Sequence, residues 1–482
     1  MDACNVKLPH IVWIVAEDMG PQLGCYGAVD LQTPEIDKLA SQGCRFSTVW
    51  CTQSVCSPAR ASLLTGLYPH EHGQIGLTMH RFRLFDGIVN LPERMKKAGY
   101  RTGIVGKLHI EPEEQFVFDC QWNDLQQFGF GPNQRRDYGE ALSVIERFID
   151  EAGEDPFWLM YNLPDAHLPH MRQNCGEPHD PTNGRDIGPL EAIGVDSADL
   201  RECVADYYNC IRRADKAVGE LMRLLERRGL SDNTLVVFTS DHGMQFPRGK
   251  TTLYEPGLRI PLLLRWPGRM PEGVVIDMPA SGIDMMPTVL DAAGLEHADL
   301  PGRSLLRVAK EPRDADRLIF AEWNSSHPPI TYPQRAVRNR RCKLIWSPMQ
   351  DRSNPTYDYY RSLPTLPPIP AQLPAETEAA FGVWATPPLY ELYDLERDGN
   401  ELHNMAGHPD YADEEHCLRA ALKQWMAATG DFASDARKLG GFMDEADAVC
   451  AEYYQANKLR PSNDFQWEYP QYLRSIDGGF LK

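Results

Sequence analysis

The stretch His10-Ile11-Val12-Trp13-Ile14-Val15-Ala16-Glu17-Asp18 decides the fold class of this 482-residue chain. Six consecutive apolar residues follow His10, and a short run of this kind, rich in β-branched residues, is typical of a strand that is buried on both faces. Such a strand belongs in a mostly parallel sheet with helices packed against it, so the stretch predicts an α/β fold. Two acidic residues come directly after the run, at the end where such sheets carry their ligands.

The rest of the first two-thirds of the chain repeats this alternation. Further apolar runs occupy residues 100–105, 157–161, 234–239 and 260–264, and amphipathic helical patterns occupy residues 33–43, 91–99, 141–151 and 201–228. We therefore predict a large, mostly parallel sheet sandwiched by helices over residues 1–310.

The pattern changes after a predicted boundary near residue 310. Strands are predicted at residues 335–346 and 391–395, a helix at 418–429, and an irregular, proline-rich segment at 355–388. Residues 311–482 are thus predicted to form a smaller α+β domain with an antiparallel sheet.

Composition excludes several classes of protein. The net charge of −19 argues against a protein that binds nucleic acids or anionic membranes. The sequence contains no run of 18 apolar residues, so no transmembrane helix is predicted. The twelve cysteines are dispersed, without a zinc-type spacing. Residues 1–9 lack the apolar core of a signal peptide, so we expect a cytoplasmic protein if the chain is complete, and a periplasmic, secreted or lysosomal one if a signal was removed.

The segment Cys56-Ser57-Pro58-Ala59-Arg60-Ala61-Ser62-Leu63-Leu64-Thr65-Gly66 predicts a short helix with a reactive group at its start. Pro58 fits the first turn, and Gly66 can end the helix. Arg60 follows Cys56 by four residues, so both project from one face. A helix N-terminus beside a guanidinium binds anions, and this arrangement suggests attack on a tetrahedral oxyanion ester.

Charged or imidazole groups follow four of the predicted strands. Ligands of open α/β sheets bind beyond the carboxyl ends of the strands. One such group alone would be read as a solvated loop residue, but four strand ends together predict a functional site. The groups are Glu17-Asp18, Lys107 with His109, Asp165 with His167 and His170, and Asp241-His242.

Three of these groups are carboxylates that would repel one another. Glu17, Asp18 and Asp241 would raise each other's pKa values unless a divalent cation lay between them. Oxygen-rich ligation favours Ca²⁺ or Mg²⁺ over zinc, and His242 is a candidate fourth ligand. The alternative interpretation is that Asp241 and His242 only cap the segment that follows.

The segment from Cys56 to Gly66, with Tyr68-Pro69 after it, resembles the signature of the type I, formylglycine-dependent sulfatases of the alkaline-phosphatase-like superfamily. Other parts of the chain resemble further motifs of this family; they are Gly106-Lys107-Leu108-His109, Asp241-His242, the segment that starts at Lys250, and residues 391–395. Glu17 departs from the family pattern, which has an aspartate there. The resemblance implies that a maturation enzyme converts Cys56 to formylglycine (3-oxoalanine).

The resemblance also implies a mechanism. Formylglycine is hydrated to a diol. The implied metal binds one hydroxyl of this diol, and Asp241 helps to deprotonate it. The implied ligands of the metal are Glu17, Asp18, Asp241 and His242. One hydroxyl attacks sulfur; the other gives a proton to His109 as the aldehyde re-forms and sulfate leaves. Arg60, Lys107 and Lys250 are implied to neutralise the sulfuryl oxygens. His167 is implied to protonate the leaving group, and His170 is the alternative for this role. Lys250 is implied to contact the sulfuryl oxygens, and Arg248 is the alternative to it.

Residues 101–107, 246–250 and 332–337 resemble the branch of the family that acts on N-sulfated glucosamine. This implies a sulfated saccharide substrate. Whether the bond cleaved is a sulfamate or a sulfate ester stays open, and so does whether the protein forms a homo-oligomer. The C-terminal domain is expected to complete the pocket, whose outer wall we assign to His80, His170, Trp323 and Asn324. Two rival hypotheses are a phosphonate or phosphate monoester hydrolase of the same fold and a non-catalytic binder of sulfated glycans.

Overall fold

The computed structural model describes residues 7–129, 131, 133–308, 317–454, 460–469 and 473. In these ranges the chain forms a large eight-stranded sheet, a small four-stranded sheet and a separate two-stranded pair. The strands are β1 His10–Ala16, β2 Cys44–Phe46, β3 Val49–Trp50, β4 Arg101–Val105, β5 Cys120–Trp122, β6 Phe157–Leu163, β7 Thr234–Ser240, β8 Leu262–Arg265, β9 Val274–Ile276, β10 Ala280–Ser281, β11 Ile319–Ser325, β12 Thr331–Arg338, β13 Cys342–Trp346 and β14 Tyr390–Asp394. The helices are α1 Pro34–Ser41, α2 Cys56–Thr65, α3 Pro69–His72, α4 Leu91–Lys97, α5 Tyr138–Ala152, α6 Ala198–Arg227, α7 Glu255–Leu258, α8 Met285–Ala292, α9 Leu305–Val308, α10 Pro355–Ser362, α11 Ala375–Ala385, α12 Ala412–Ala428 and α13 Ala436–Tyr453.

The large sheet has eight strands in the order β5-β4-β6-β1-β7-β8-β2-β9. Its first five strands run parallel, and every residue of β1, β6 and β7 is buried, as expected for strands covered on both faces. The predicted α/β sheet is therefore confirmed. β8 pairs antiparallel with both of its neighbours, so the sheet is mixed towards that edge.

The small sheet is antiparallel, in the order β11-β12-β13-β14, and confirms the fold class predicted for the C-terminal part. The single strand predicted at residues 335–346 is wrong, because β12 and β13 form a hairpin. The side chain of Asn339 accepts hydrogen bonds from the backbone N–H groups of Arg341 and Cys342 and so closes the turn.

The irregular segment predicted at residues 355–388 is also corrected, since it contains α10 and α11. Pro355 stands in the first turn of α10, where its missing N–H is harmless, and Asn354 caps the helix by accepting from the N–H of Thr356. Trp384 of α11 donates its indole N–H to the Thr356 hydroxyl at 2.8 Å, so the two helices are locked together.

The remaining predicted elements are present, with ends that differ by a few residues. The predicted domain boundary at residue 310 lies outside the described residues. Every cysteine within the described ranges has a free thiol, and no helix in that part of the chain is both long and apolar enough to cross a membrane.

Candidate active site

Four adjacent parallel strands of the large sheet, β4, β6, β1 and β7, bring their carboxyl ends to one edge. Because the strands are neighbours, the short segments that follow them meet above the sheet. These segments carry the predicted groups Glu17, Asp18, Lys107, His109, Asp165, His167, Asp241 and His242. The topology therefore brings together groups that are up to 225 residues apart in sequence.

Cys56 is the first residue of α2, and its side chain points into this cluster. The helix ends at Gly66, whose φ of 70° is the left-handed conformation that favours glycine. The Cys56 sulfur lies 3.4 Å from His242 Nε2 and 3.9 Å from a carboxylate oxygen of Glu17. Burial raises the pKa of the thiol, but the charges of Lys107, Lys250 and His242 outweigh it and bring the value down to about 6.

The acidic groups form a compact, fully buried set. The potential ligand atoms of Asp18, Cys56, Asp241 and His242 all lie within 4.8 Å of one another, and the same holds for Glu17, Asp18, Cys56 and His167. Burial raises the pKa of Glu17 to about 7 although Arg60 and Lys107 oppose the shift. The pKa of Asp241 stays below its ordinary value, because the charges of His242 and Arg60 outweigh its burial.

The donor set fits a divalent cation. His242 Nδ1 lies 2.9 Å from the carbonyl oxygen of Gly243, so this nitrogen carries the proton. The charges of Asp241 and Asp18 outweigh burial and raise the pKa of His242 to about 9, so without a cation Nε2 is protonated as well and donates to Asp18 Oδ1, 3.1 Å away. A divalent cation could take the place of this proton, since both atoms would then be ligands instead of acceptors that repel each other. Three carboxylates and one imidazole nitrogen form the kind of site that a hard divalent ion occupies.

Each basic group of the cluster pairs with a carboxylate. Arg60 contacts Glu17, places Nε 3.2 Å from Asp241, and donates to the carbonyl of Lys107 at 2.9 Å and to Asn162 Oδ1 at 2.7 Å. Lys107 Nζ lies 2.9 Å from Glu17. Arg60 is thus held by two carboxylates, a backbone carbonyl and an amide oxygen.

The three histidines considered for proton transfer, His109, His167 and His170, differ in their surroundings. His167 donates from Nδ1 to the carbonyl oxygen of Leu168 at 2.6 Å, and burial with the charges of Lys250 and Lys107 holds its pKa well below the ordinary value. His109 has a pKa lowered by burial and by Lys107. Both rings therefore lie beside the basic groups of the cluster.

His170, by contrast, belongs to an aromatic cluster next to the site. Its ring centroid lies 5.2 Å from those of Tyr207 and Phe246, and Nδ1 lies 3.7 Å from the sulfur of Cys203. Its pKa is lowered to about 3, chiefly by burial and then by the charge of Arg136. The surroundings of the two rings favour His167 over His170 as the proton donor, and that assignment stays a prediction.

Three of the residues predicted for the outer pocket, His80, Trp323 and Asn324, are buried. His80 accepts from or donates to the hydroxyl of Tyr454 at 2.5 Å and stacks on His327, with 4.8 Å between ring centroids. Trp323 and Asn324 are fully buried. Asn324 donates to Gln53 and accepts from Arg335, so its side chain joins β11 to its surroundings, and its role in substrate binding stays a prediction.

Several residues of the site were not predicted from sequence. Asn162 sits inside an apolar run and shows no local signal. Gln245 links Lys250, at 3.5 Å, to the hydroxyl of Tyr359, at 3.4 Å, and thereby brings α10 to the site. The only sequence feature that could have indicated Tyr359 is the pair of tyrosines at 359–360 within a proline-rich stretch. Asp165, named only as a strand-end group, is held by Arg136 and Arg213.

Comparisons with known proteins agree with this geometry. The sulfatase family model matches residues 9–295, and a model described as the C-terminal part of N-sulphoglucosamine sulphohydrolase matches residues 242–362. The chain is 30% identical over 464 residues to N-sulphoglucosamine sulphohydrolase of Homo sapiens, covering 89% of this chain and 92% of that protein.

Two further matches extend this comparison. An ulvan-active sulfatase of Formosa agariphila is 27% identical over 439 residues, covering 89% of this chain and 82% of that protein. A solved structure of a protein in complex with its substrate, D-glucosamine-2-N,6-O-disulfate, superposes with a TM-score of 0.65 at 19% identity, covering 88% of this chain and 99% of that one. This likeness concerns the fold.

Proposed function

The chain belongs to the sulfatase family, and from that premise we propose that it removes sulfate from a sulfated saccharide, with N-sulfated glucosamine as the substrate class. The family resemblance predicted from the Cys56 segment is thereby confirmed. Membership makes the protein an enzyme, a sulfuric ester hydrolase that relies on formylglycine and a divalent metal, as the family generally does.

The observation that carries the proposal is the position of Cys56. It begins a helix, faces the acidic set, and feels the positive charges of Lys107 and Lys250. A net charge of −19 repels an anionic substrate in general. A sulfate group therefore needs local positive charge around the reactive residue, and the nearness of Lys107 and Lys250 to Cys56 supports the proposal.

The proposed substrate class is supported by the C-terminal part of the chain. The model that matches residues 242–362 is named for N-sulphoglucosamine sulphohydrolase, and so is the human relative that aligns over most of the chain. The matched stretch includes Lys250 and Tyr359, which lie before and after the boundary predicted at residue 310 and are linked through Gln245.

Glu17, Asp18, Asp241 and His242 are the residues that would hold the metal, and we propose Ca²⁺ before Mg²⁺. Ca²⁺ accepts several carboxylates in irregular geometry, whereas Mg²⁺ prefers to keep its waters. When bound, the ion supplies positive charge to the reacting oxygens.

The protein's own groups divide the remaining tasks in this proposal. Lys107 and Lys250 neutralise the oxygens of the sulfate group. His167 has Nδ1 engaged with a backbone carbonyl, so Nε2 is the atom proposed to carry a proton to the leaving group. The ring must be protonated for this step, and a bound anionic sulfate group would favour that form by opposing the charges of Lys250 and Lys107, which lower its pKa. His109, beside Lys107, is proposed as the base that restores the resting site.

The test is sulfate release from defined saccharides. Protein whose Cys56 conversion has been verified by mass spectrometry is incubated with N-sulfoglucosamine, glucosamine 6-sulfate and the disulfated sugar, and free sulfate is quantified. We expect release from the N-sulfated sugars and none from Cys56→Ala, while Cys175→Ala, which changes an exposed free thiol, keeps full activity.

Three results would contradict the proposal. Absence of release from every sulfated sugar would exclude the substrate class. Faster turnover of an aryl phosphonate monoester than of any sulfate would favour the phosphonate hydrolase. Tight binding of sulfated glycans by protein from the native host, with Cys56 unmodified and no turnover, would favour the non-catalytic binder.

A further inference from the structure

A buried ionic network lies directly behind the segment that carries His167. Asp165 is fully buried and receives hydrogen bonds from Arg136, from the Tyr138 hydroxyl at 2.7 Å, and from Arg213 at 3.0 and 2.8 Å. The two guanidinium groups hold the pKa of Asp165 well below its usual range. Two cations thus surround one anion in a region without access to solvent.

Both arginines extend past Asp165 to the backbone of the same segment. Arg136 donates to the carbonyl oxygens of His167, at 2.9 Å, and Pro169, at 3.4 Å. Arg213 donates to the carbonyl oxygen of Met171 at 2.9 Å. Residues 165–171 follow β6 and are not part of a helix or strand, so these side chains replace the backbone ladder that would otherwise position the segment.

The other side of the segment is joined to the metal-ligand strand end. The N–H of Ala166 donates to the carbonyl of Glu17 at 2.6 Å, and the N–H of Glu17 donates to the carbonyl of Asp165 at 3.2 Å. The segment is therefore hydrogen-bonded to the sheet edge on one side and to the two arginines on the other.

This arrangement determines the orientation of the His167 ring. The Nδ1 proton of the ring is donated to the carbonyl oxygen of Leu168. Arg136 donates to the two neighbouring carbonyl oxygens, those of His167 and Pro169. A ring atom of His167 lies within 4.8 Å of the potential ligand atoms of Glu17, Asp18 and Cys56. A shift of the three carbonyls would move the imidazole relative to the reacting group.

A purely structural role accounts poorly for the network. Burying two guanidinium groups against one carboxylate costs desolvation energy, and buried ion pairs often stabilise a fold no better than apolar residues of similar size. Precise placement of a group beside a reaction centre is a function for which such networks are retained.

We propose that Arg136 and Arg213 are positioning residues for His167, acting through Asp165 and the backbone carbonyls of residues 167–171. This inference rests on the proposed function, because it takes His167 as the proton donor to the leaving group. Neither arginine contacts the substrate in this proposal.

The test compares arginines that are adjacent in sequence. Arg136→Lys and Arg213→Lys keep the charge but lose the forked geometry. Arg135→Lys and Arg212→Lys are the matched controls, since Arg135 pairs with Asp137 at the surface and Arg212 binds the Asp180 carbonyl and Thr182. With N-sulfoglucosamine as substrate, we expect kcat to fall about tenfold or more in the first pair, with KM within about twofold, and no change in the controls.

A double variant separates positioning from general loss of structure. His167→Ala should lower kcat by about 10²-fold to 10⁴-fold. If Arg136 acts through His167, Arg136→Lys combined with His167→Ala should be no slower than His167→Ala alone. Losses that multiply, or equal losses in Arg135→Lys, would overturn the inference.

Two further measurements keep the inference falsifiable. Tyr138→Phe removes one hydrogen bond to Asp165 and serves if the arginine variants do not fold; we expect a smaller fall in kcat that His167→Ala again masks. In ¹⁵N NMR, the His167 imidazole signals should shift in Arg136→Lys and stay in place in Arg135→Lys, even in protein with the unconverted thiol. Unchanged signals would overturn positioning, whereas absent sulfate release from wild type would instead overturn the proposed function.

Discussion

Lys250 Nζ lies 3.0 and 2.9 Å from the two carboxylate oxygens of Asp18. Both side chains are buried, and His242 Nε2 lies 3.1 Å from the same carboxylate. One carboxylate therefore belongs both to the basic set and to the candidate cation site. A bound cation would take up the charge of Asp18 and leave Lys250 available for an anionic substrate.

Cation binding should stabilise the fold through this set. We expect Ca²⁺ to raise the thermal midpoint of metal-stripped protein, with a gain of about 2.7 kcal/mol in unfolding free energy at a concentration 100 times the Kd. Asp241→Asn should abolish the rise, while Glu154→Gln, which alters a fully exposed carboxylate, should keep it. Differential scanning fluorimetry measures the shift, and an equal rise in Asp241→Asn would exclude the site.

The two histidines of the 167–170 segment should respond differently to substitution. His167 lies beside Lys107 and Lys250, whereas His170 packs on Tyr207 and Phe246. We expect His167→Ala to lower kcat by about 10²-fold or more and His170→Gln to change it far less. Steady-state kinetics on the saccharide substrate measure both, and a larger loss in the His170 variant would reverse the assignment.

Tyr359 should contribute to substrate binding. Its hydroxyl is linked through Gln245 to Lys250, and its side chain is half-buried at the site. Removing one hydrogen bond of about 1 kcal/mol in Tyr359→Phe should raise KM about fivefold with little change in kcat. Tyr357→Phe on the same helix is the control. Equal KM values in the two variants would exclude a role for the Tyr359 hydroxyl.

A buried ion pair between α3 and β11 should make the stability of the fold depend on pH. His70 Nδ1 lies 2.9 Å from Glu322. Burial lowers the pKa of His70, but the charges of Glu322 and Asp431 outweigh it and raise the value to about 9. A folded-state pKa above the unfolded value stabilises the fold fully below pH 6.5, and the gain is lost as pH rises through 9.

The measurement compares wild type with His70→Gln across this range. The stability advantage of wild type should be about 3 kcal/mol near pH 6 and should vanish above pH 9. Thermal unfolding at each pH gives the difference, and His416→Gln, which changes an exposed histidine, should give none. An advantage that stays constant with pH would show that His70 does not titrate as described.

Much of this protein is determined by local sequence. The run at residues 10–16 is a strand, as its unbroken apolar sequence predicts for a strand buried on both faces. Residues 56–65 form a helix, as Pro58 near its start and Gly66 at its end predict. The carboxyl ends of adjacent parallel strands share one edge, so Glu17, Asp18, Asp241 and His242 could be placed together from sequence.

Other features were decided only by the tertiary structure. Asp165 meets Arg136 and Arg213 from 29 and 48 residues away, and Tyr359 reaches the site from a segment predicted to be irregular. The hairpin at Asn339 depends on one side chain that bonds the backbone. Such contacts join groups that are distant in the chain or mutually specific in geometry, and neither hydrophobic periodicity nor motif spacing records which polar side chains will pair once the core has closed.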